Sequence, residues 1–287
     1  MKRLLALAAL LWTAMGIAQT NVSFEKLFYL THSRENDLHI QGGSVAGGKL
    51  FQLHDYNKPI SVYDMKNGAF IQDIEVEPVQ TWHNNTAQFS DIYYEKGDAY
   101  PLLYASQENI KEHKAVVYRI TADKKGKLSA EIVQTIIFPH PIEMGLYYPN
   151  LALDLDAGYL YLTGFSWANF NTPDKGNAVQ ILRFRLPSPK EAPVVTFWTK
   201  DILARYCTDF KRATQGAAVR GGKLYQVFGG PEDNCLVCTD LETGEQVFRC
   251  RLNGVPGEPE GLGFYKDHII VTCADGNVFR SDLVVKK

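Results

Sequence analysis

After its first twenty residues the chain has no apolar run long enough to cross a bilayer, which takes about 20 residues. It has no basic excess, no cysteine before position 207 and little helical periodicity. Lys and Arg number 30 against 32 Asp and Glu, a net charge of −2 that becomes −4 once Lys2 and Arg3 are removed. Such a balance cannot hold a phosphate backbone, so nucleic acid is excluded as a partner. No G-x-S-x-G elbow, no H-E-x-x-H and no phosphate-binding glycine loop is present, and no cofactor is predicted. The cysteines are Cys207, Cys235, Cys238, Cys250 and Cys273, an odd number that leaves at least one unpaired. The Cys235/Cys238 spacing resembles a metal or redox pair. On a strand, however, positions i and i+3 point to opposite faces, and no second pair or nearby histidine completes a zinc set. They read as core residues, while Cys238 and Cys250 flank a hairpin and could be cross-strand neighbours, their bonding left open.

What is present begins with an export pattern. Lys2 and Arg3 precede the uncharged run Leu4 to Trp12, and Gly16-Ile17-Ala18 places small residues before Gln19. Residues 1–18 therefore read as a cleaved secretory signal, and 19–287 as one domain, soluble and secreted or periplasmic. No cysteine follows the run, which argues against a lipid anchor. Fifteen Tyr and fifteen Phe favour strands over helices.

Two distant segments repeat. Gln41-Gly42-Gly43-Ser44-Val45-Ala46-Gly47-Gly48-Lys49-Leu50-Phe51-Gln52 aligns without gaps on Gln215-Gly216-Ala217-Ala218-Val219-Arg220-Gly221-Gly222-Lys223-Leu224-Tyr225-Gln226, with eight of twelve positions identical. Each copy is followed by a second hairpin, turning at Asn67-Gly68 and at Thr243-Gly244, so each unit holds four strands joined by tight turns. Weaker copies begin near 83, 147 and 257. The spacing of about 40 to 65 residues is that of four-stranded propeller blades. The expected fold is an all-β propeller of five blades. The stretch Val22 to Leu30 supplies the strand missing from the last blade and closes the ring. Helix is expected only around Asp201 to Tyr206.

In such a blade the start of the inner strand and the loop between strands two and three emerge on one face. A polar ring gathers there: Gln41, His83 with Asn84 and Asn85, Asn150, Gln215, and Glu258 with Glu260. It is suited to a ligand, a structural cation or water. The loop from Gly164 to Asn177 adds Phe165, Trp167, Asn169 and Phe170, a recognition surface unless these aromatics fold back onto their blade. His83 and Glu260 are the acid/base candidates. The carboxylate of Glu260 stands where the repeat elsewhere has Gln41 and Gln215.

One blade carries Thr214-Gln215-Gly216, then Leu224-Tyr225-Gln226-Val227-Phe228-Gly229, then Asp240-Leu241-Glu242-Thr243-Gly244. This pattern resembles the five-bladed glutaminyl cyclotransferases of plants and bacteria, and uncharacterised exported bacterial propellers. The resemblance implies the propeller fold and cyclotransferase activity. In that family a glutamate follows the aromatic residue as the proposed proton-transfer group. Gln226 stands there, and Gln52 in the parallel copy. A neutral amide cannot shuttle a proton as a carboxylate can, so the family's route would need another acid such as Glu260.

Three functions are expected to compete. The first is a monomeric binder of a small molecule, glycan or peptide, neutral or amide-rich, using Gln41, Gln52, Asn84, Asn150, Trp167, Asn169, Gln215 and Gln226. The second is an enzyme on the same face using His83 or Glu260, and the third is a scaffold for a surface assembly.

Overall fold

The computed structural model describes residues 21–55, 58–76, 83–108, 112–141, 143–165, 179–208, 214–229 and 234–287, with backbone alone at 83, 108, 148 and 165. The proposed signal segment lies outside the described residues.

The twelve-residue repeat forms hairpins because Gly-Gly supplies the positive φ its two-residue turn requires. Gly47 and Gly48 lie at φ 56° and 74°, and Gly221 and Gly222 at 58° and 68°. Blade 1 is β2 (Ile40–Ala46), β3 (Lys49–His54), β4 (Ile60–Asp64) and β5 (Phe70–Ile74), in that order from the axis outward. Blade 2 runs β6 (His83–Phe89), β7 (Leu103–Glu108), β8 (His113–Ala122) and β9 (Leu128–Phe138). Blade 3 is β10 (Tyr147–Asp154), β11 (Tyr159–Phe165), β12 (Val179–Arg185) and β14 (Ala204–Cys207). Blade 4 is β15 (Thr214–Arg220), β16 (Lys223–Phe228), β17 (Cys235–Asp240) and β18 (Gln246–Arg251). Blade 5 takes β19 (Pro259–Tyr265), β20 (His268–Cys273) and β21 (Asn277–Val284) from the C-terminal end, and β1 (Phe24–Tyr29) from the other end of the chain. β1 runs antiparallel to β21, from Phe24 opposite Ser281 to Tyr29 opposite Asn277, and closes the ring as expected.

The core is divided among the seams, because each blade's two faces meet different neighbours. Phe51, Val62, Ala87 and Val116 fill the seam between blades 1 and 2, and Tyr104, Phe138, Leu160 and Phe184 that between 2 and 3. Ala152, Tyr161, Ala217 and Leu224 join blades 3 and 4. Tyr225, Leu236, Leu262 and Phe279 join 4 and 5, and Leu50, Tyr63, Ile270 and Val278 join 5 and 1. Each fully buried Val, Leu, Ile or Phe among them contributes roughly 1.5–3 kcal/mol. Cys235 and Cys238 belong to different clusters, as strand alternation requires. None of the five cysteines is in a disulfide. Cys238 sits opposite Phe248 and Cys250 opposite Leu236, so the two cysteines are diagonal rather than direct partners.

Two features depart from the expected plan. Residues 204–207 form the outer strand of blade 3 instead of a helix, and only Thr199–Asp201 makes a single 3-10 turn. Before that turn, β13 (Val194–Thr196) crosses to blade 2 and lies parallel to β9, Val194 opposite Thr135, covering an edge that would otherwise be exposed. Phe197 then packs between Phe138 and Phe184, at ring separations of 5.7 and 5.2 Å.

The closure joint holds the one helix among the described residues, α1 (Thr31–Glu35). The Ser33 hydroxyl meets Nε2 of His54 at 2.9 Å, and Nδ1 of His54 meets the Pro59 carbonyl at 2.9 Å. A carbonyl can only accept, so Nδ1 carries the proton and Nε2 accepts from Ser33. The Ser33 oxygen then accepts from the Tyr63 hydroxyl, and the Ser33 N–H donates back to Tyr63. All three side chains are fully buried, and burial lowers the pKa of His54 to about 4.

Candidate functional site at the proximal mouth of the channel

Each inner strand begins with the same irregularity. Pairing with the second strand slips by one residue between Ile40 and Gly43, Asn84 and Thr86, Tyr147 and Asn150, Thr214 and Gly216, and Pro259 and Gly261. These β-bulges recur at one end of the channel, here called the proximal mouth, and a bulge re-aims the side chain it leaves unpaired. By register the extra residues are Gln41, Asn85, Pro149, Gln215 and Glu260. Four of the five are polar.

Glycine lets the strands converge there. A Cβ on Gly42 would lie 2.6 Å from the Thr86 Cα, and one on Gly216 2.7 Å from the Leu262 nitrogen. These glycines serve close backbone approach, a role separate from the turns that glycine marks elsewhere in the chain.

Many polar groups of the ring fasten one blade to the next. The Asn84 N–H donates to Asp55 Oδ1 at 3.1 Å and its side chain to the His54 carbonyl, joining blades 1 and 2. Asn85 donates to the Pro149 carbonyl at 3.4 Å, and the Leu151 N–H to Thr86 at 3.0 Å, joining 2 and 3. Asn150, fully buried, donates to the Thr214 carbonyl at 2.7 Å, and Gln226 to the Thr163 hydroxyl at 2.8 Å, joining 3 and 4. Thr272 reaches the Gln41 carbonyl at 3.4 Å, joining 5 to 1.

Gln52 is fully buried and caps the bulge of its own blade, donating to the carbonyls of Gln41 at 2.6 Å, Gly42 at 3.1 Å and Leu53 at 2.9 Å. Gln226, 1 % exposed, is likewise interior. Asn150 lies one position past the bulge, where Gln41 and Gln215 are followed by glycine, so it is not their equivalent. Pro149 is.

Gln41 and Gln215 share a further arrangement. Gln41 Nε2 lies 3.3 Å from Asp55 Oδ2, and Gln215 Nε2 lies 2.8 Å from Glu258 Oε1. A carboxylate only accepts, so each amide must turn its NH₂ toward the acid. The side-chain amide oxygens (Oε1) of Gln41 and Gln215 are then left with no hydrogen-bond partner among the described residues. Glu260 is 8 % exposed and lies near Cys273, whose thiol burial pushes up, with Asp275 and Glu260 adding to the effect. The mouth thus presents the two side-chain amide oxygens as acceptors, with the Glu260 carboxylate beside them.

His83 starts β6 opposite Glu108, but its side chain is not described, and Trp167, Asn169 and Phe170 lie outside the described residues. Sequence reasoning missed Asp55, which orients Gln41 and binds Asn84. Its only signal is a place just past the end of β3. Among the described residues no group of three His, Cys, Asp or Glu side chains is placed to hold a metal ion.

The fold and this mouth define the protein as a five-bladed β-propeller. No family model and no curated protein sequence matches the chain. Solved structures do. Glutaminyl cyclase of Myxococcus xanthus superposes with a TM-score of 0.56 at 10 % identity, covering 94 % of this chain and all of that one. A glucose dehydrogenase gives 0.50 at 12 % identity, over 90 % and 98 % of the two chains. Virginiamycin B lyase of Staphylococcus aureus gives 0.47 at 13 %, over 92 % and 100 %. For the first two, at these identities, the likeness is one of fold, which enzymes and binding proteins share.

Proposed function

We propose that the protein is an exported binding protein that takes a neutral ligand rich in hydrogen-bond donors, sugar hydroxyls or peptide N–H groups, at the proximal mouth. The matched orientation of Gln41 and Gln215 carries this reading. Two repeats of the chain each hold an amide NH₂ on a carboxylate and leave a carbonyl oxygen to accept, and such acceptors select donors. Export rests on the signal pattern of residues 1–18. Calorimetric titration with neutral oligosaccharides and with Asn- and Gln-containing peptides tests it. Saturable binding that weakens about tenfold in Gln215→Ala, the loss of one buried hydrogen bond or a little more, supports the reading. An affinity indifferent to Gln41→Ala and Gln215→Ala, or no binding across the panel, removes it.

A second reading is favoured by the carboxylate of Glu260 among neutral bulge residues and by the fold likeness to a glutaminyl cyclase. In it, Glu260 is the acid/base group of a transferase-type reaction. Turnover of N-terminal glutaminyl peptides that Glu260→Gln abolishes would establish it, and an inactive wild type ends it.

A further inference from the structure

The inner strands end at the opposite, distal mouth, which opens into a cavity of about 390 Å³ lined by residues from all five blades. Asp154, the last residue of β10, lines this cavity and a second one of about 310 Å³ between blades 3 and 4. It is 6 % exposed. One oxygen, Oδ1, accepts from the Ala157 N–H at 3.2 Å, and the carboxylate has no other hydrogen-bond or ion-pair partner among the described residues. Buried carboxylates are ordinarily ion-paired, so one held by a single backbone N–H, with its other oxygen open to a cavity, leaves room for a cation. Burial raises its pKa, against the pull of the Ala157 N–H, and neighbouring Asp156 raises it further.

The cations that line the two cavities do not fill the gap: Arg183 lies 4.7 Å over the Tyr159 ring, and Lys223 faces Asp240 at 3.6 Å. The Arg220 guanidinium donates to the carbonyls of Lys266 and Val285, faces Asp267 at 3.8 Å and lies 4.3 Å over the Phe264 ring. Lys287 lines the cavity without an ion pair among the described residues. Asp91 and Asp156 add negative charge to the lining, and Tyr93, 52 % exposed, offers an aromatic face at the rim.

We propose that the distal mouth binds an organic cation, an ammonium or guanidinium group, with Asp154 as its anchoring carboxylate. A hard divalent ion would need six or more oxygen ligands, whereas one charged donor matches one open carboxylate oxygen beside an aromatic wall. Pro149, the bulge residue of blade 3, and Asp154 are five residues apart on β10, roughly 16 Å along an extended strand, so this site is separate from the proximal mouth.

The test titrates the full protein at pH 7 with n-butylammonium, with the capped tripeptide N-acetyl-Gly-Lys-Gly-amide and with uncharged n-butanol. The amines should saturate and the alcohol should not. Asp154→Asn should weaken both amines about tenfold or more, the worth of one charge-assisted hydrogen bond. Preference for n-butylammonium would indicate a free amine, and preference for the tripeptide a lysine side chain. In the absence of ligand, Asp154→Asn should melt no lower than the wild type, because the neutral isostere removes an unpaired buried charge. A carboxylate needed for the fold would do the reverse. Asp156→Asn, on an exposed side chain, gives a second readout, with a smaller loss of affinity. Absence of saturable amine binding, or equal affinity in wild type and Asp154→Asn, overturns the proposal.

Discussion

At the residue scale, the chain Pro59, His54, Ser33, Tyr63 fixes every proton at the closure joint, and that order exists only while His54 is neutral. Its pKa is about 4 in the folded protein, against 6.5 for an unburied histidine. Below pH 6.5 the unfolded chain takes up a proton that the folded chain refuses. Stability is therefore complete above pH 6.5, falls as the pH drops and levels off near 4. The gap amounts to about 3 kcal/mol from this residue. His113, fully buried with neither ring nitrogen hydrogen-bonded among the described residues, is lowered to about 3 by burial and acts in the same direction. Urea midpoints measured from pH 7.5 to 4 should fall steeply, and His54→Gln should flatten part of that slope. Ser33→Ala leaves the His54 nitrogen without its donor and should cost roughly 1–3 kcal/mol at pH 7 by denaturant unfolding.

At the element scale, glycines of identical appearance in the repeat do different work. Gly48 lies at φ 74° with nothing within 4 Å of a would-be Cβ, so Gly48→Ala should cost only the left-handed backbone strain, about 1 kcal/mol. Gly42 meets the backbone of Thr86 and Ala87, which cannot step aside. Gly42→Ala should therefore cost more, above about 2 kcal/mol by the same measurement. Equal costs would contradict the close packing of inner strands.

Most strands were readable because the repeat carries its own turns, and in three of the five blades the four strands are hairpins between sequence neighbours. β13 and β14 were not. Their partners, β9 and β12, lie well back along the chain. Four residues from Ala204 to Cys207 are also too few for a period of two to stand out from a short helix.

At the scale of the whole molecule, ring closure joins residues more than 200 positions apart: Ser23 N–H donates to Asp282 at 3.0 Å and Leu30 N–H to the Gly276 carbonyl at 2.8 Å. Removing residues 21–30 would bare the edge of β21 and uncover Val278 and Phe279. That variant should exchange its β21 amides rapidly and elute larger on a sizing column than the intact chain. The polar ring was visible in the sequence because the repeat places Gln41 and Gln215 at matching positions. That Gln52 and Gln226 would be interior was not visible, since burial on a blade face is decided by the neighbouring blade.

The most direct test of the proximal mouth as a binding site is a crystal structure with the tightest oligosaccharide or peptide from the titration panel. The ligand should lie within hydrogen-bond distance of the Gln41 and Gln215 side-chain amide oxygens, with Glu260 alongside. A ligand seated on the outer rim of the blades, with those two amides unmoved and untouched, would contradict the assignment.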